Sequence, residues 1–243
     1  MSQITKSATI CKAGGPSEDE MGAINAQAIV PLSPDQVFAF RVVMCDTRVD
    51  RDFEHFSDSA LEQMASLFVG KTVVKDHNHR SDNQVARIYE AHVEQMEGYR
   101  ALVGSAYMLD SPANADLIAD IKGGIRREVS VGVGIEHAVC SVCGTDNAEA
   151  YCSHFPGREY DGKLCTYELS GVADAYELSF VAVPAQRGAG VSKSYGTETV
   201  FERAEGAKGE PAGATDADEG REKGLSARLR ASEAWTFAHT EEN

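Results

Sequence analysis

The sequence predicts an α+β domain that is mostly β, with about seven strands in a closed or partly closed barrel and a few helices. Three observations support this fold class. Seven segments have the length and apolar pattern of strands, only two have helical spacing with recognisable ends, and apolar patterning is confined to residues 36–195. Because so few helices are available to cover a sheet, its apolar face is buried most simply when the sheet curls on itself.

Composition limits the classes of function. The 243 residues are 42% hydrophobic, which suffices for one sizeable core. Acidic residues outnumber basic ones 38 to 23, and the formal charge of −15 opposes binding to phosphate backbones, so we expect no nucleic-acid partner. No apolar run approaches the ~20 residues that span a bilayer. Residues 1–15 lack a signal-peptide core, so we expect a cytosolic protein without a membrane partner.

Composition also divides the chain into three parts. Residues 1–35 are rich in Ser, Gly, Ala and Pro and are predicted to be flexible. Residues 36–195 are predicted to form the folded domain. Residues 196–243 are rich in Gly, Ala and Glu and cannot bury enough apolar surface to offset their ordering entropy, which predicts an acidic, mostly disordered tail.

Two helices have clear start and stop signals. Ser59 and Glu62 form a capping-box pair, after which apolar residues follow at helical spacing as far as Gly70. Ser111, followed by proline, starts the second helix, and Gly123 ends it. The other patterned segments are predicted strands, at residues 37–44, 72–76, 85–93, 100–108, 128–137, 166–169 and 175–183.

Alternation within two of these strands indicates which side chains share a face. In 128–137 the odd positions are apolar, which turns Ser130 to the opposite face. In 175–183, Tyr176 and Leu178 belong to the more apolar face and Glu177 lies opposite, whereas Asp174 falls on the apolar side. Ser130 and Glu177 are therefore both predicted to face away from the barrel interior, although alternation does not place the two strands side by side.

The residue types for nucleophilic catalysis are present. Residues 75–79, Lys-Asp-His-Asn-His, suit metal ligands, a general base or a solvated loop. A serine nucleophile requires a base within hydrogen-bond reach and a third group that orients the base, and His77, Ser130 and Glu177 supply these types. Glycines beside Ser130 allow a substrate backbone to approach, and N–H groups there can stabilise an oxyanion. On the residues alone, a serine that simply fills a strand remains the simpler interpretation.

Three segments carry a pattern typical of one family. The first runs over residues 56–62 and 70–77 (Gly-Lys-Thr-Val-Val-Lys-Asp-His), the second is 84–88 (Gln-Val-Ala-Arg-Ile), and the third joins 128–132 (Glu-Val-Ser-Val-Gly) to 174–185. In their order and spacing over residues 37–189, they resemble the prohead (capsid maturation) proteases of tailed bacteriophages. These proteases are distantly related in fold to the herpesvirus assemblins.

The resemblance implies a serine endopeptidase that acts inside the assembling procapsid in the host cytoplasm. The implied substrates are the scaffold protein, the major capsid protein and the enzyme's own ends. The resemblance also allows a homo-oligomer. By the family pattern, His77 is the general base, Ser130 the nucleophile and Glu177 the orienting carboxylate. His79 is the alternative base and Asp174 the alternative carboxylate.

Cysteines mark an insertion, residues 138–165, that departs from the simplest members of the family. Six cysteines are too sparse for a disulfide scaffold, but four of them lie within it. Their spacing predicts a structural zinc site with no open coordination position. The predicted ligands are Cys140, Cys143, Cys152 and His154, with Cys165 as an alternative to His154 and reduced surface thiols as the alternative without metal.

Two other functions compete with the protease. One is a non-enzymatic procapsid or scaffold component that keeps a protease-like barrel and uses the zinc loop for contacts. The other is a metallohydrolase that uses Asp76, His77 and His79, which lack a further carboxylate at a helical spacing. The acidic tail also has two interpretations, as solvating filler or, as the resemblance implies, as a targeting or self-cleaved extension.

Overall fold

The computed structural model of the chain describes residues 16–186 and 188–192. Within these ranges the chain forms three α-helices and ten strands, and no helix among them is long and apolar enough to cross a bilayer. The helices are α1 (Glu18–Asn25), α2 (Asp58–Leu67) and α3 (Ala115–Lys122). The strands are β1 (Val37–Asp46), β2 (Glu54–Phe56), β3 (Thr72–Lys75), β4 (Ala86–Gln95), β5 (Arg100–Leu109), β6 (Val129–Cys140), β7 (Glu159–Tyr160), β8 (Lys163–Leu164), β9 (Tyr167–Phe180) and β10 (Gly190–Ser192).

One large mixed sheet dominates the structure, which confirms a mostly β, α+β fold. Its strand order is β10-β1-β5-β4-β3-β9-β2, and β6 pairs with the other side of β9. Strands β2 and β3 run parallel to β9, and the remaining pairs are antiparallel. Strands β7 and β8 form a separate two-stranded sheet within the cysteine-rich insertion.

The described residues do not form a closed barrel. No continuous ladder joins β6 to β10; the two meet only through an isolated bridge between Glu128 and Gly190 and a hydrogen bond from the Val191 N–H to the Arg127 carbonyl, 2.6 Å. As far as it is described, β10 pairs with β1 over residues 190–192, and among the described residues it forms no ladder with β6. The sheet therefore curls without closing.

The main core lies between one face of the sheet and helices α2 and α3. Leu61 and Met64 of α2, and Phe68 just after it, are fully buried in one cluster with apolar residues of β1 and β5. Helix α3 adds three buried apolar residues at helical spacing to the same cluster. At about 1.5–3 kcal/mol for each large buried apolar side chain, this layer is the principal source of stability.

Helix α1 covers part of the opposite face. Met21 and Ile24 pack against Val37 and Ala39 of β1, and two tyrosines from β4 and β5 complete this smaller cluster. Ser17 and Glu20 form a capping box at the helix start. The predicted flexible segment 1–35 thus contains a capped and packed helix, while residues 1–15 and the predicted tail, 196–243, lie outside the described residues.

The predicted element ends shift where a nearer cap exists. Ser57, rather than Ser59, caps α2, because its side chain accepts a hydrogen bond from the Ala60 N–H at 3.1 Å. Helix α3 begins at Ala115, after a turn that follows Ser111. The predicted strands 166–169 and 175–183 are one strand, β9.

Candidate functional site

Alternation in the sequence assigned the side chains of Ser130 and Glu177 to outward faces but did not pair their strands. In the structure these strands, β6 and β9, are neighbours. Ser130 is the register partner of Ser179, and Gly132 is the partner of Glu177. On the other side of β9, strand β3 runs parallel, with Thr72 opposite Glu177. Partners in a ladder lie on one face, so these side chains form two adjacent rows across the sheet.

His77 contacts the carboxylate of Glu177. The distance from Nδ1 of His77 to Oε1 of Glu177 is 2.7 Å. The Glu177 side chain is 1% exposed, whereas that of His77 is 43% exposed. A carboxylate only accepts hydrogen bonds, so beside an ionised Glu177 the donor in this contact is Nδ1. Nε2 is then the ring nitrogen that can take up a proton.

The main chain holds His77 in an uncommon conformation. Asp76 and His77 both have positive φ, +55° and +50°. The Asp76 N–H donates to the Phe180 carbonyl at 2.9 Å, and the His77 N–H donates to Oγ of Ser179 at 2.8 Å. The Asn83 amide fixes the other side of the turn by donating to the Lys75 carbonyl at 2.7 Å. These bonds hold His77 at the end of β3, next to Glu177.

Gly132 makes room for the buried carboxylate. A Cβ at this position would overlap Oε1 of Glu177 and would lie 3.1 Å from its carboxyl carbon. Gly134 has a similar role, since a Cβ there would lie 2.9 Å from the Tyr176 hydroxyl. The two glycines therefore let side chains of β9 lie across β6, beyond Ser130.

Asp174, the alternative carboxylate, has another partner. It lies opposite Gly134 and accepts a hydrogen bond from Nζ of Lys71 at 3.0 Å, and this contact lowers the pKa of the Asp174 carboxyl. The alternation that separated it from Glu177 is interrupted by a bulge, because β6 skips a residue of β9 between these two pairs. The skipped residue is Tyr176, which is 50% exposed rather than on the apolar face as predicted.

The predicted serine and the alternative histidine differ in exposure and in their place relative to His77. Ser130 is partly exposed in the row of Ser179, whose hydroxyl binds the His77 main chain. His79 is exposed two residues beyond His77. Among the described residues, Asp76, His77 and His79, which the alternative metallohydrolase would use, are not in a group of mutually close ligand atoms.

Two contributors to this site were not predicted. Ser179 binds the His77 main chain, and Gly132 provides the volume for Glu177. Ser179 shares the outward parity of Glu177, so its position was available in the sequence, but its hydrogen bond depends on β3 lying beside β9. Parallel pairing between distant segments has no local sequence signal.

A second cluster lies at the far end of β6. The ligand atoms of Cys140, Cys143, Cys152 and His154 all lie within 4.8 Å of one another, so the group could hold a metal ion. The Cys143–Cys152 Sγ distance is 3.5 Å, and Cys152 Sγ lies 3.4 Å from Nδ1 of His154. Ligand atoms around a tetrahedral zinc lie roughly 3.5–3.8 Å apart, so three thiols and one imidazole are arranged much as such an ion requires.

The local fold supports this metal-ligating cluster. Gly144, at φ +72°, closes the turn after Cys143, and its N–H donates to the Cys140 carbonyl at 2.8 Å. The ring of Tyr160 meets that of His154 edge-on at 4.5 Å between centroids. The turn that carries Cys140 and Cys143 is therefore held by a main-chain hydrogen bond, and the His154 ring is held by packing against Tyr160.

The thiols differ in environment. Hydrogen bonding with Thr145 lowers the pKa of Cys143 to about 6, which favours the thiolate that binds metal. Desolvation raises the pKa of Cys152 and raises that of Cys165 to about 11. Cys165 is fully buried, with Sγ 3.8 Å from Sγ of Cys140, but the cluster of mutually close ligand atoms contains His154 in its place.

We expect Gly132→Ala to displace the Glu177 carboxylate, because the added methyl group takes its volume. The hydrogen bond between Glu177 and His77 should be lost or lengthened, which nuclear magnetic resonance of the His77 ring nitrogens would detect. Gly22→Ala is the steric control, since a Cβ there meets nothing within 4 Å and the residue does not have a positive φ. An unchanged His77 signal in folded Gly132→Ala protein would contradict this account of Gly132.

No family model matches the chain, and neither a curated protein nor a solved structure matches it. The chemistry of the two sites is therefore inferred from the geometry just described and from the motifs in the sequence.

Proposed function

We propose that the chain is a serine endopeptidase of the prohead-protease type. The observation that carries the proposal is the 2.7 Å contact between Nδ1 of half-exposed His77 and the buried carboxylate of Glu177. A histidine oriented by a carboxylate is the base that a serine nucleophile needs. Ser130 supplies the hydroxyl on the adjoining strand, one row from Glu177.

The proposed reaction uses these three side chains in sequence. Oγ of Ser130 attacks the scissile carbonyl carbon while its proton passes to Nε2 of His77, and Glu177 stabilises the imidazolium. His77 then gives that proton to the leaving amine, so the C–N bond breaks and an acyl-enzyme forms. Water attacks the ester with His77 again as base, which releases the carboxylic acid and restores Ser130.

The substrate class follows from the family resemblance. We propose the scaffold and major capsid proteins as substrates within the procapsid, together with the tail of the chain itself. The finer fold proposal is a partly closed barrel, supported by the bridge between Glu128 and Gly190 that links the two ends of the sheet. On this face Ser130 is partly exposed and His77 is half-exposed, as access by an extended peptide requires.

We further propose that the second cluster is a structural zinc site. Three thiolates and an imidazole suit zinc and fill its four positions, so zinc would fix the insertion without an open position for substrate. Cys140, Cys143, Cys152 and His154 would hold it. Zinc would restrict the 138–165 segment, which has only a small buried cluster of its own around Cys165 and Tyr167.

We expect Ser130→Ala to abolish processing of a co-expressed scaffold or capsid protein while leaving the fold intact. Loss of a serine nucleophile lowers turnover by up to about 10⁶, so no cleavage should be detectable by mass mapping of new termini. A fluorophosphonate probe should label Ser130 in the wild-type protein. His77→Ala should be comparably severe, whereas His79→Ala serves as the matched histidine control and should be mild.

Two outcomes would overturn this function. Processing by Ser130→Ala at the wild-type rate would remove the serine mechanism. A wild-type protein that is neither labelled nor active, even at high concentration, would favour the non-enzymatic procapsid component instead.

We expect about one zinc ion per chain in protein purified under reducing conditions without chelator, measured by elemental analysis. Cys143→Ser should lower the zinc content and the melting temperature, because an exposed ligand is lost with little loss of packing. Cys45→Ser is the control for zinc content, since Cys45 lies in the main core and is not among the clustered ligand residues. Absence of zinc from the wild-type protein would contradict the site.

A further inference from the structure

We propose that Ser179 is a positioning residue for His77, holding its main chain so that the imidazole meets Glu177. The inference rests on the proposed function in one respect, that His77 acts as the base for Ser130. It assigns to a buried serine a role that neither the nucleophile nor the orienting carboxylate performs.

The contacts of Ser179 use both hydrogen-bonding capacities of its hydroxyl. Oγ accepts from the His77 N–H at 2.8 Å and donates to the Phe180 carbonyl at 3.3 Å. The side chain is fully buried. Ser179 is buried away from solvent, so water does not take the place of its hydroxyl. Removing the hydroxyl therefore removes the acceptor of the His77 N–H at this position.

The conformation of His77 explains why this acceptor matters. Asp76 and His77 are successive residues, neither of them glycine, and both lie in the left-handed region. L-residues seldom occupy this region, and mostly as single residues rather than in pairs. The direction of the His77 side chain is set by this backbone. The Phe180 carbonyl holds the Asp76 N–H, so Ser179 and Phe180 together bind the two strained residues to the end of β9.

Ser179 is also in line with the nucleophile. It is the register partner of Ser130 and lies two residues from Glu177 on the same strand. One short segment of β9 thus contacts the histidine ring through Glu177, the histidine main chain through Ser179, and the serine strand through both. A change at Ser179 should disturb the alignment of His77 more than it disturbs the apolar core.

The test compares Ser179→Ala with Ser105→Ala, which removes a buried serine hydroxyl from β5. Labelling of Ser130 by a fluorophosphonate probe should slow at least tenfold in Ser179→Ala at saturating probe, with little change in the half-saturating concentration. Ser105→Ala should label at the wild-type rate. Both rates are normalised to the folded fraction from thermal unfolding, so general destabilisation does not imitate the effect.

A second readout does not depend on activity. The Nδ1 proton that His77 donates to Glu177 should give a downfield proton resonance, assigned by its loss in Glu177→Gln. It should persist in Ser105→Ala and in Ser130→Ala and be shifted or lost in Ser179→Ala. If Ser179→Ala does not fold, Ser179→Thr, which keeps a hydroxyl, is expected to retain the resonance, and its loss in folded Ser179→Thr would overturn the proposal.

The failures of the two proposals are distinguishable. If wild-type Ser130 is not labelled, the protease proposal fails, while the resonance still tests Ser179. If wild-type Ser130 is labelled and folded Ser179→Ala matches it in labelling rate and resonance, the positioning role of Ser179 is wrong and the protease proposal stands.

Discussion

The antiparallel pairing of β6 with β9 is the constraint on which the rest of the structure depends. This ladder joins Val129 to Phe180 at one end and Cys140 to Tyr167 at the other. A shift by one residue would move every side chain to the opposite face, which would put Glu177 into the apolar core. The core resists such a shift, because Val129 of β6 and Leu178 of β9 are fully buried in it, and the next odd-numbered residues of β6 pack against it. Apolar packing on one face of the ladder thereby fixes the polar arrangement on the other.

The polar face carries an electrostatic cost that the apolar face must offset. Glu177 is almost fully buried, and its Oε2 has no hydrogen-bond partner among the described residues. Burying a carboxylate disfavours its charged form unless an opposite charge or a donor compensates. His77 provides that donor to Oε1, and it is itself partly exposed. In the serine mechanism that we propose, this histidine, held by a buried carboxylate, would receive a proton and release it in each cycle.

The sequence predicted the parts of this arrangement that have a local cause, and missed those with a distant one. Alternation in β6 and β9 correctly turned Ser130 and Glu177 to one face, because strand periodicity depends only on neighbouring residues. The same rule was wrong at Tyr176, since a bulge is a property of the pair of strands and not of one of them. Helix α1 was not predicted, because its composition resembles that of a linker. Ser17 and Glu20, which form its capping box, were nevertheless a signal for a helix start in the sequence. The closed form of the predicted barrel is not found among the described residues, because a count of strands does not reveal which strands pair.

The two sites share a ladder but need not share a function. Ser130 and Cys140 are ten residues apart on β6, roughly 33 Å at the rise of an extended strand. The register shifts twice between them, after Gly132 and after Gly134, and each bulge bends the strand locally. Strain or disorder at the metal-ligating cluster would have to pass both bulges to reach Glu177. Parallel strand β3 pairs with β9 on the Ser130 side of those bulges, at residues 177–180. Strand β2 pairs with β9 near the cluster, at residues 167–169. Each end of the hairpin is therefore held by its own neighbour, so the insertion can vary while the serine, histidine and glutamate keep their register.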